Sequence, residues 1–118
     1  MTYALLIYRT APVSIPIPEL EERAALDAHR TLQAETAEKR ELGVVARLDA
    51  TTAARTVRRR AGAHEVSDGP FIETKEWLIG FYLVDCGSAE EALARARVIC
   101  TDESHAIEVR PVTWQWKP

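Results

Sequence analysis

An α+β fold, with two helices packed against one sheet, is the class that this sequence predicts. Two segments carry apolar residues at the three-to-four-residue spacing of amphipathic helices, and several others alternate or are apolar throughout, as strands do. A length of 118 residues fits a single domain, which we place over residues 1–118. Two helices can cover only one face of a sheet, so the pattern favours a two-layer sandwich.

The predicted elements follow one another in the order β-α-β-(β-hairpin)-β-α-β. They are a strand over 2–9, a helix over 19–42, strands over 44–49 and 56–60, a hairpin turn at 61–63, a strand over 78–85, a helix from 88 to about 100 and a strand over 106–112. This is the order of a ferredoxin-like sandwich.

Local signals mark the helix ends and the connector before the first helix. Gly43 follows the long helix at the position where a left-handed residue commonly ends a helix. Ser88 and Glu91 have the spacing of a capping box at the start of the second helix. Three prolines in residues 10–18 forbid a regular helix there. This connector is predicted to be either a semi-extended link or an apolar flap over a pocket or a partner subunit.

Two of the predicted strands are apolar on both faces. In the strand over 78–85 the two faces carry Ile79, Phe81 and Leu83, and Gly80, Tyr82 and Val84. Because the helices cover one face only, we expect the other face to meet the sheet of a second copy. The sequence therefore predicts a two-fold homodimer.

Composition excludes several function classes. The formal net charge of −3 argues against a dedicated nucleic-acid or anionic-membrane binder. No apolar run approaches the roughly 20 residues of a membrane span, and the start of the chain lacks the basic region of a signal peptide. Cys86 and Cys100 form neither a CxxC motif nor a dense framework, which is typical of reduced thiols. A cytoplasmic location is predicted.

A dense polar cluster precedes the most apolar strand. Residues 68–76 read DGPFIETKE and run directly into WLIGFYLV. Polar side chains delivered by a central strand are a common way to build a site on a rigid scaffold. The segment 68–76 is therefore the predicted site.

Four segments spread over the chain share one family pattern: YALLIY at 3–8, DGPFIETKE at 68–76, GFYL at 80–83 and EVRPV at 108–112. In these segments the chain resembles the YCII-related proteins, in particular their DGPF-domain branch. The resemblance implies a dimeric α+β barrel with ferredoxin-like protomers. A few members of that family act on small aromatic compounds without a cofactor, one as a dehydrochlorinase. Some DGPF members resemble partners of alternative sigma factors.

Asp68 and His29 are the candidate catalytic pair. The resemblance assigns Asp68 to the aspartate that is suspected, with a histidine, of acid–base chemistry in the cleft of YCII-type proteins. His29 lies at the edge of the apolar stripe of the long helix. A partly buried carboxylate beside an imidazole can shift both pKa values toward neutrality, as general acid–base catalysis needs. The alternatives are a turn residue that caps backbone amides for Asp68, and a half-exposed surface residue for His29.

Further residues are predicted to contact a substrate in the same cleft. They are Tyr8, Arg9, Phe71, Glu73, Lys75, Trp77 and Tyr82. An ion-pair network at the dimer interface is the alternative for Glu73 and Lys75, and packing or interface roles are the alternative for the strand residues. Trp77, Trp114 and Trp116 either stack on an aromatic ligand or belong to the dimer interface, which aromatic residues favour.

Familiar cofactor and metal motifs do not occur in the sequence. It has no GxGxxG, P-loop, HExxH, GxSxG or CxxC pattern, so neither a cofactor nor a metal is predicted. The leading hypothesis is a small cytoplasmic enzyme that moves a proton on a compact aromatic or unsaturated molecule. Elimination, isomerisation or cyclisation would follow, as in a lyase or isomerase of biosynthesis. The alternative is a non-catalytic ligand-binding or regulatory module, such as a partner of an alternative sigma factor.

Overall fold

The computed structural model of the protein describes residues 1–11, 15–71 and 76–118. Within these ranges, strands and helices follow the predicted order. The elements are β1 (Thr2–Arg9), α1 (Glu19–Glu38), β2 (Leu42–Arg47), β3 (Arg55–Arg60), β4 (Ala63–Asp68), β5 (Trp77–Asp85), α2 (Ala89–Ile99) and β6 (His105–Pro111), with a short 3₁₀ turn at Thr51–Ala53.

Four strands form the main sheet, in the order β2-β5-β1-β6, and every neighbouring pair is antiparallel. The two helices follow β1 and β5, so each connects strands that are not neighbours. The α+β class and the ferredoxin-like arrangement predicted from the sequence are confirmed. Among the described residues, no helix is long and apolar enough to cross a membrane.

The core lies between the sheet and the helices. Alternate residues of β1, namely Tyr3, Leu5 and Ile7, are buried, while the residues between them are half-buried. Tyr82 and Val84 of β5 pair with Leu5 and Tyr3 and complete the same face. Strand alternation therefore sends one row of side chains toward the helices and leaves the other row on the open face of the sheet.

The first helix ends four residues before the predicted position. Arg40, with φ of 57°, takes the left-handed position that the sequence assigned to Gly43. Its N–H bonds the carbonyl of Ala37 at 3.0 Å, and the N–H of Glu41 bonds that of Thr36 at 2.8 Å, which is a Schellman ending. Gly43 instead lies in β2, where a Cβ would sit 2.8 Å from the backbone oxygen of Leu83. The glycine serves close strand approach, so its assignment to the helix end was wrong.

The hairpin predicted at residues 61–63 is confirmed, but it forms a separate two-stranded ribbon of β3 and β4. Ala61 and Gly62 both have positive φ, 50° and 82°, as a type I′ turn requires. Val57 and Val66 face each other across the ribbon and are 65% and 63% exposed. The ribbon is therefore an unusually exposed part of the molecule, and a lone two-stranded ribbon is only marginally stable in water.

The second helix begins at the predicted cap. Ser88 Oγ accepts a hydrogen bond from the N–H of Glu91 at 3.1 Å, and the Glu91 carboxylate accepts one from the N–H of Gly87 at 2.8 Å. The reciprocal bond thus reaches one residue further back than in the usual capping box.

Candidate active site

One end of the main sheet brings together side chains of all four strands on the face that carries the helices, namely Arg9, Arg47, Trp77 and His105. Arg9, at the end of β1, pairs in register with Trp77 on one side and with His105 on the other. Arg47, at the end of β2, pairs with Gly80 of β5. We call this region the Arg9 end of the sheet. It is where β1 and β2 end and where β5 and β6 begin.

His29 of α1 reaches the sheet through a hydrogen bond with Tyr82. The His29 Nδ1 and the Tyr82 hydroxyl oxygen lie 2.7 Å apart, and the two rings stack with centroids 5.6 Å apart at an angle of 13°. Gln33, one helical turn after His29, donates from Nε2 to the same hydroxyl at 2.9 Å. Tyr82 is one of the most buried residues of the core, so it gives the half-buried His29 a fixed anchor.

The hydroxyl proton of Tyr82 indicates which tautomer of His29 these contacts favour. The hydroxyl accepts from the amide of Gln33, and its other contact among the described residues is His29 Nδ1. The hydroxyl proton is therefore used when it is donated to Nδ1. His29 is then the neutral tautomer with its proton on Nε2. In that form the other ring nitrogen is a hydrogen-bond donor.

The surroundings favour the neutral forms of both rings. Burial lowers the pKa of His29 below its ordinary value, and the positive charges of His105 and Arg47 lower it further. Burial raises the pKa of Tyr82, against the opposing effect of the hydrogen bond from Gln33. At neutral pH the site therefore contains a neutral imidazole and a protonated phenol.

A second histidine carries an aspartate partner. Asp102 Oδ1 lies 2.8 Å from His105 Nδ1, and the side chains are only 7% and 13% exposed. The same oxygen accepts the N–H of Ser104 at 2.9 Å. Because Asp102 Oδ1 serves as an acceptor for Ser104, we assign it the same role toward His105, so that Nδ1 carries a proton and Nε2 of the neutral ring is an acceptor. Asp102 Oδ2 is buried and has no hydrogen-bond partner among the described residues.

The guanidinium of Arg9 is held but not saturated. Its Nη2 donates to the backbone oxygen of Ile15, in the connector before α1. Its Nε is buried and has no partner within the part of the chain that the structure describes. Buried polar groups are paired in the great majority of cases, so an unpaired one marks a place where a ligand, water or strain has to be considered.

Residues 68–71 of the predicted 68–76 segment lie along the ribbon, and Glu76 directly precedes β5. Asp68 is 90% exposed and forms an ion pair with Arg55 at 3.5 Å. Phe71 is exposed, and the guanidinium of Arg58 lies 4.5 Å above its ring. No hydrogen bond or ion pair joins Asp68 to His29 in the described ranges, so a catalytic role for Asp68 stays a prediction.

The other predicted site residues form three groups. Arg9, Trp77 and Tyr82 share the helix-facing side at or near the Arg9 end. Tyr8 alternates with them and lies on the open face, where its hydroxyl is 3.5 Å from Glu108. The predictions for Glu73 and Lys75 fall outside the described residues.

Four members of the site were missing from the sequence prediction: Gln33, Arg47, Asp102 and His105. Two signals in the sequence point to them. Gln33 follows His29 at the spacing of one helical turn, and His105 stands three residues after an aspartate at the start of a strand. What the sequence does not show is the antiparallel register that sets His105 beside Arg9. Within the described residues, no group of three or more histidine, cysteine or acidic side chains is arranged to hold a metal ion.

Comparison with known proteins gives one family. The sequence model of the YCII-related domain matches residues 1–117. An uncharacterized protein of Rhizobium meliloti (strain 1021) is 43% identical over 114 residues, which span 95% of this chain and 92% of that protein. The similarity covers the sheet, both helices and the Arg9 end alike.

Proposed function

We propose that this chain, which belongs to the YCII-related family, is a cofactor-independent enzyme that moves a proton on a small aromatic or unsaturated molecule. One observation carries the proposal. Two histidines near enough to interact electrostatically are held differently, His29 through Tyr82 and His105 through Asp102. Titratable groups in contrasting environments are how one site supplies an acid and a base at the same pH.

His105 is the base in this proposal. Asp102 fixes Nδ1 as the protonated nitrogen, which leaves the Nε2 lone pair to accept a proton from the substrate. The carboxylate then stabilises the imidazolium that forms, as the aspartate does in a catalytic triad. General base catalysis of this kind contributes about 10²–10⁴-fold to a rate.

His29 is the electrophile. Its Nδ1 is bonded to the Tyr82 hydroxyl, so Nε2–H is the free donor. A neutral imidazole N–H can stabilise the oxygen on which negative charge develops when a proton leaves the adjacent carbon. Tyr82 and Gln33 act as positioning residues, because they hold the tautomer and the ring orientation.

The chemistry common to the predicted reaction types is the first step. His105 removes a proton from a carbon next to a carbonyl group, the electron pair moves to the oxygen, and His29 stabilises that oxygen. Return of the proton at another atom gives isomerisation, loss of a leaving group gives elimination, and attack on a second atom gives cyclisation. All three use the same two histidines.

Keto–enol tautomerisation of phenylpyruvate tests this step, because the enol absorbs in the ultraviolet. We expect the protein to accelerate the reaction over buffer and His105→Gln to lower the enzymatic rate by about 10²-fold or more. His64→Gln is the matched control, since His64 lies on the exposed ribbon. If wild type and the His29→Gln/His105→Gln double variant give the same rate, proton transfer is not the activity of this site.

A regulatory role is the second candidate, and the ribbon favours it. Val57 and Val66 form an exposed apolar pair between charged neighbours, a composition suited to a protein partner such as an alternative sigma factor. Purified sigma factor from the same organism would then co-elute with wild type but not with Val57→Ser/Val66→Ser. Co-elution that survives in this variant would remove the ribbon from the interaction.

We also propose that the protein is a homodimer of the barrel type and acts in the cytoplasm. Ala4 pairs with Leu83 and Leu6 with Phe81, which gives the open face a contiguous apolar patch opposite the helices. Cys86 and Cys100 are free thiols, in keeping with a reducing compartment. Sedimentation at micromolar concentration should show a dimer that Leu6→Glu dissociates. A monomeric wild type would overturn the dimer.

A further inference from the structure

Arg9 is a half-buried arginine that forms no ion pair with a carboxylate of the described residues. Its only hydrogen bond in the described ranges goes to the backbone oxygen of Ile15, and its buried Nε has no partner there. A guanidinium presents planar N–H groups that match the two oxygens of a carboxylate. The guanidinium of Arg9 therefore has N–H groups from which a planar anion can accept hydrogen bonds.

Two acidic side chains near the Arg9 end are engaged with other partners. Asp102 holds His105, and the carboxylate of Glu21 lies 3.5 Å from the Ser104 hydroxyl. Neither forms an ion pair with Arg9 or with Arg47. The formal charges of these two arginines and two acids cancel, so a ligand with one negative charge suits the Arg9 end better than a ligand with two.

Trp77 gives the site an apolar side. It pairs in register with Arg9, opposite His105, and lies on the same face of the sheet as both. An indole ring beside a guanidinium can contact the ring or double bond of a ligand whose carboxylate the guanidinium holds. Arg9, Trp77 and His105 thus place an anion anchor, an apolar surface and a base side by side.

We propose that Arg9 binds the carboxylate of the substrate, and that the substrate is a monoanionic aromatic or unsaturated carboxylic acid. The inference rests on the proposed acid–base function, for which it names the substrate class. Arg9 anchors the anion, Trp77 contacts the unsaturated part, and the carbon that loses the proton faces His105.

Binding of matched ligands tests the anchor without turnover. Benzoate and benzamide have the same shape and differ in charge, and phenylphosphonate carries a larger and more highly charged head group. With histidine side-chain NMR signals as the readout, wild type should bind benzoate at least tenfold more tightly than benzamide or phenylphosphonate. Arg9→Gln should lose the preference for benzoate, and Arg9→Lys should keep part of it, because lysine retains the charge but not the planar pair of donors.

Arg97→Gln is the control, because Arg97 is an exposed arginine on α2. Equal binding of benzoate and benzamide by wild type, or an unchanged preference in Arg9→Gln, would overturn the anchor. Tighter binding of phenylphosphonate than of benzoate would overturn the carboxylate in favour of a phosphate-type ligand.

Kinetics separate this proposal from the proposed function. Arg9→Gln should raise the KM for phenylpyruvate at least tenfold with a smaller fall in kcat, whereas His105→Gln should lower kcat. If the benzoate preference depends on Arg9 but phenylpyruvate is not turned over, the anchor stands and acid–base catalysis fails. If turnover depends on His105 but no ligand preference depends on Arg9, acid–base catalysis stands and the anchor fails.

Discussion

Two arginines at opposite ends of the main sheet have contrasting surroundings. Arg95 of α2 has a side chain that is 9% exposed, and it pairs with Glu41 and with Glu91, the latter at 2.9 Å. Its Nη1 also donates to the backbone oxygen of Asp85 at 2.5 Å and contacts the buried Cys86 Sγ at 3.3 Å. Arg95 thus ties the second helix to the end of β5 and to the turn before β2.

Arg9, at the other end, has one backbone partner and a buried donor that has no partner among the described residues. Asp102, which pairs with His105, has a buried oxygen that likewise has no partner there. Unpaired buried groups cost free energy, so each one needs a physical explanation, such as a bound ligand or water. Arg95 therefore belongs to the scaffold, and the unpaired groups of Arg9 and Asp102 fit the proposed site, in which a ligand supplies their partner.

The largest effect is expected from removing the saturated arginine. Arg95→Met should lower the free energy of unfolding by about 2–4 kcal/mol, because it leaves the carboxylates of Glu41 and Glu91 without their buried partner. Both carboxylates are partly exposed to solvent, which limits the loss. Arg9→Met, the matched change, should alter stability by about 1 kcal/mol or less, since it removes an unsatisfied donor. Urea denaturation measures both. Equal losses would mean that Arg9 is as structural as Arg95.

Two glycine-to-alanine variants test whether a change in the backbone near the Arg9 end affects the proposed site while a similar change at the other end does not. A Cβ on Gly80 would lie 2.7 Å from the backbone oxygen of Ala46, and one on Gly43 would lie 2.8 Å from that of Leu83. Each alanine variant should lose about 1–3 kcal/mol, because strand backbone has to move. Only Gly80 is the register partner of Arg47. We therefore expect Gly80→Ala, and not Gly43→Ala, to change the NMR titration of His29.

Folding should be linked to the protonation of His29. Burial, with the charges of His105 and Arg47, lowers the pKa of His29 from its ordinary 6.5 in the folded protein. As the pH falls below this value, the unfolded chain takes up the proton first, so stability decreases until the pH passes the folded pKa. The free energy of unfolding should therefore be lower at pH 5 than at pH 7.

His29→Gln should flatten this pH dependence, whatever its effect on absolute stability through the lost bond to Tyr82. The measurement is denaturant unfolding across pH 5–7. His64→Gln, which removes a histidine from the exposed ribbon, corrects for the loss of a histidine as such. If the slope disappears in His64→Gln and persists in His29→Gln, the linked proton lies on the ribbon.

The sequence predicted the fold more fully than the site. Strand alternation and the Ser88 cap are local signals, and both are confirmed. The end of α1 was misplaced because Gly43 has a packing role against Leu83 that no local pattern reveals. The site depends on register: His105, which pairs with Asp102, lies beside Arg9 because β6 pairs with β1, and no local pattern in the sequence shows that pairing. The predicted pair of Asp68 and His29 stays a prediction.

Asp68→Asn should have the smallest effect of all. The ion pair between Asp68 and Arg55 spans 3.5 Å with side chains 90% and 75% exposed, and water and salt screen such a pair. We expect a change of about 0.5 kcal/mol or less in the free energy of unfolding, with phenylpyruvate turnover and benzoate binding unchanged. Loss of turnover from a folded Asp68→Asn protein would instead place Asp68 in the chemistry, as the sequence motif predicted. The ribbon would then have to reach the Arg9 end and contribute a residue to the proposed site.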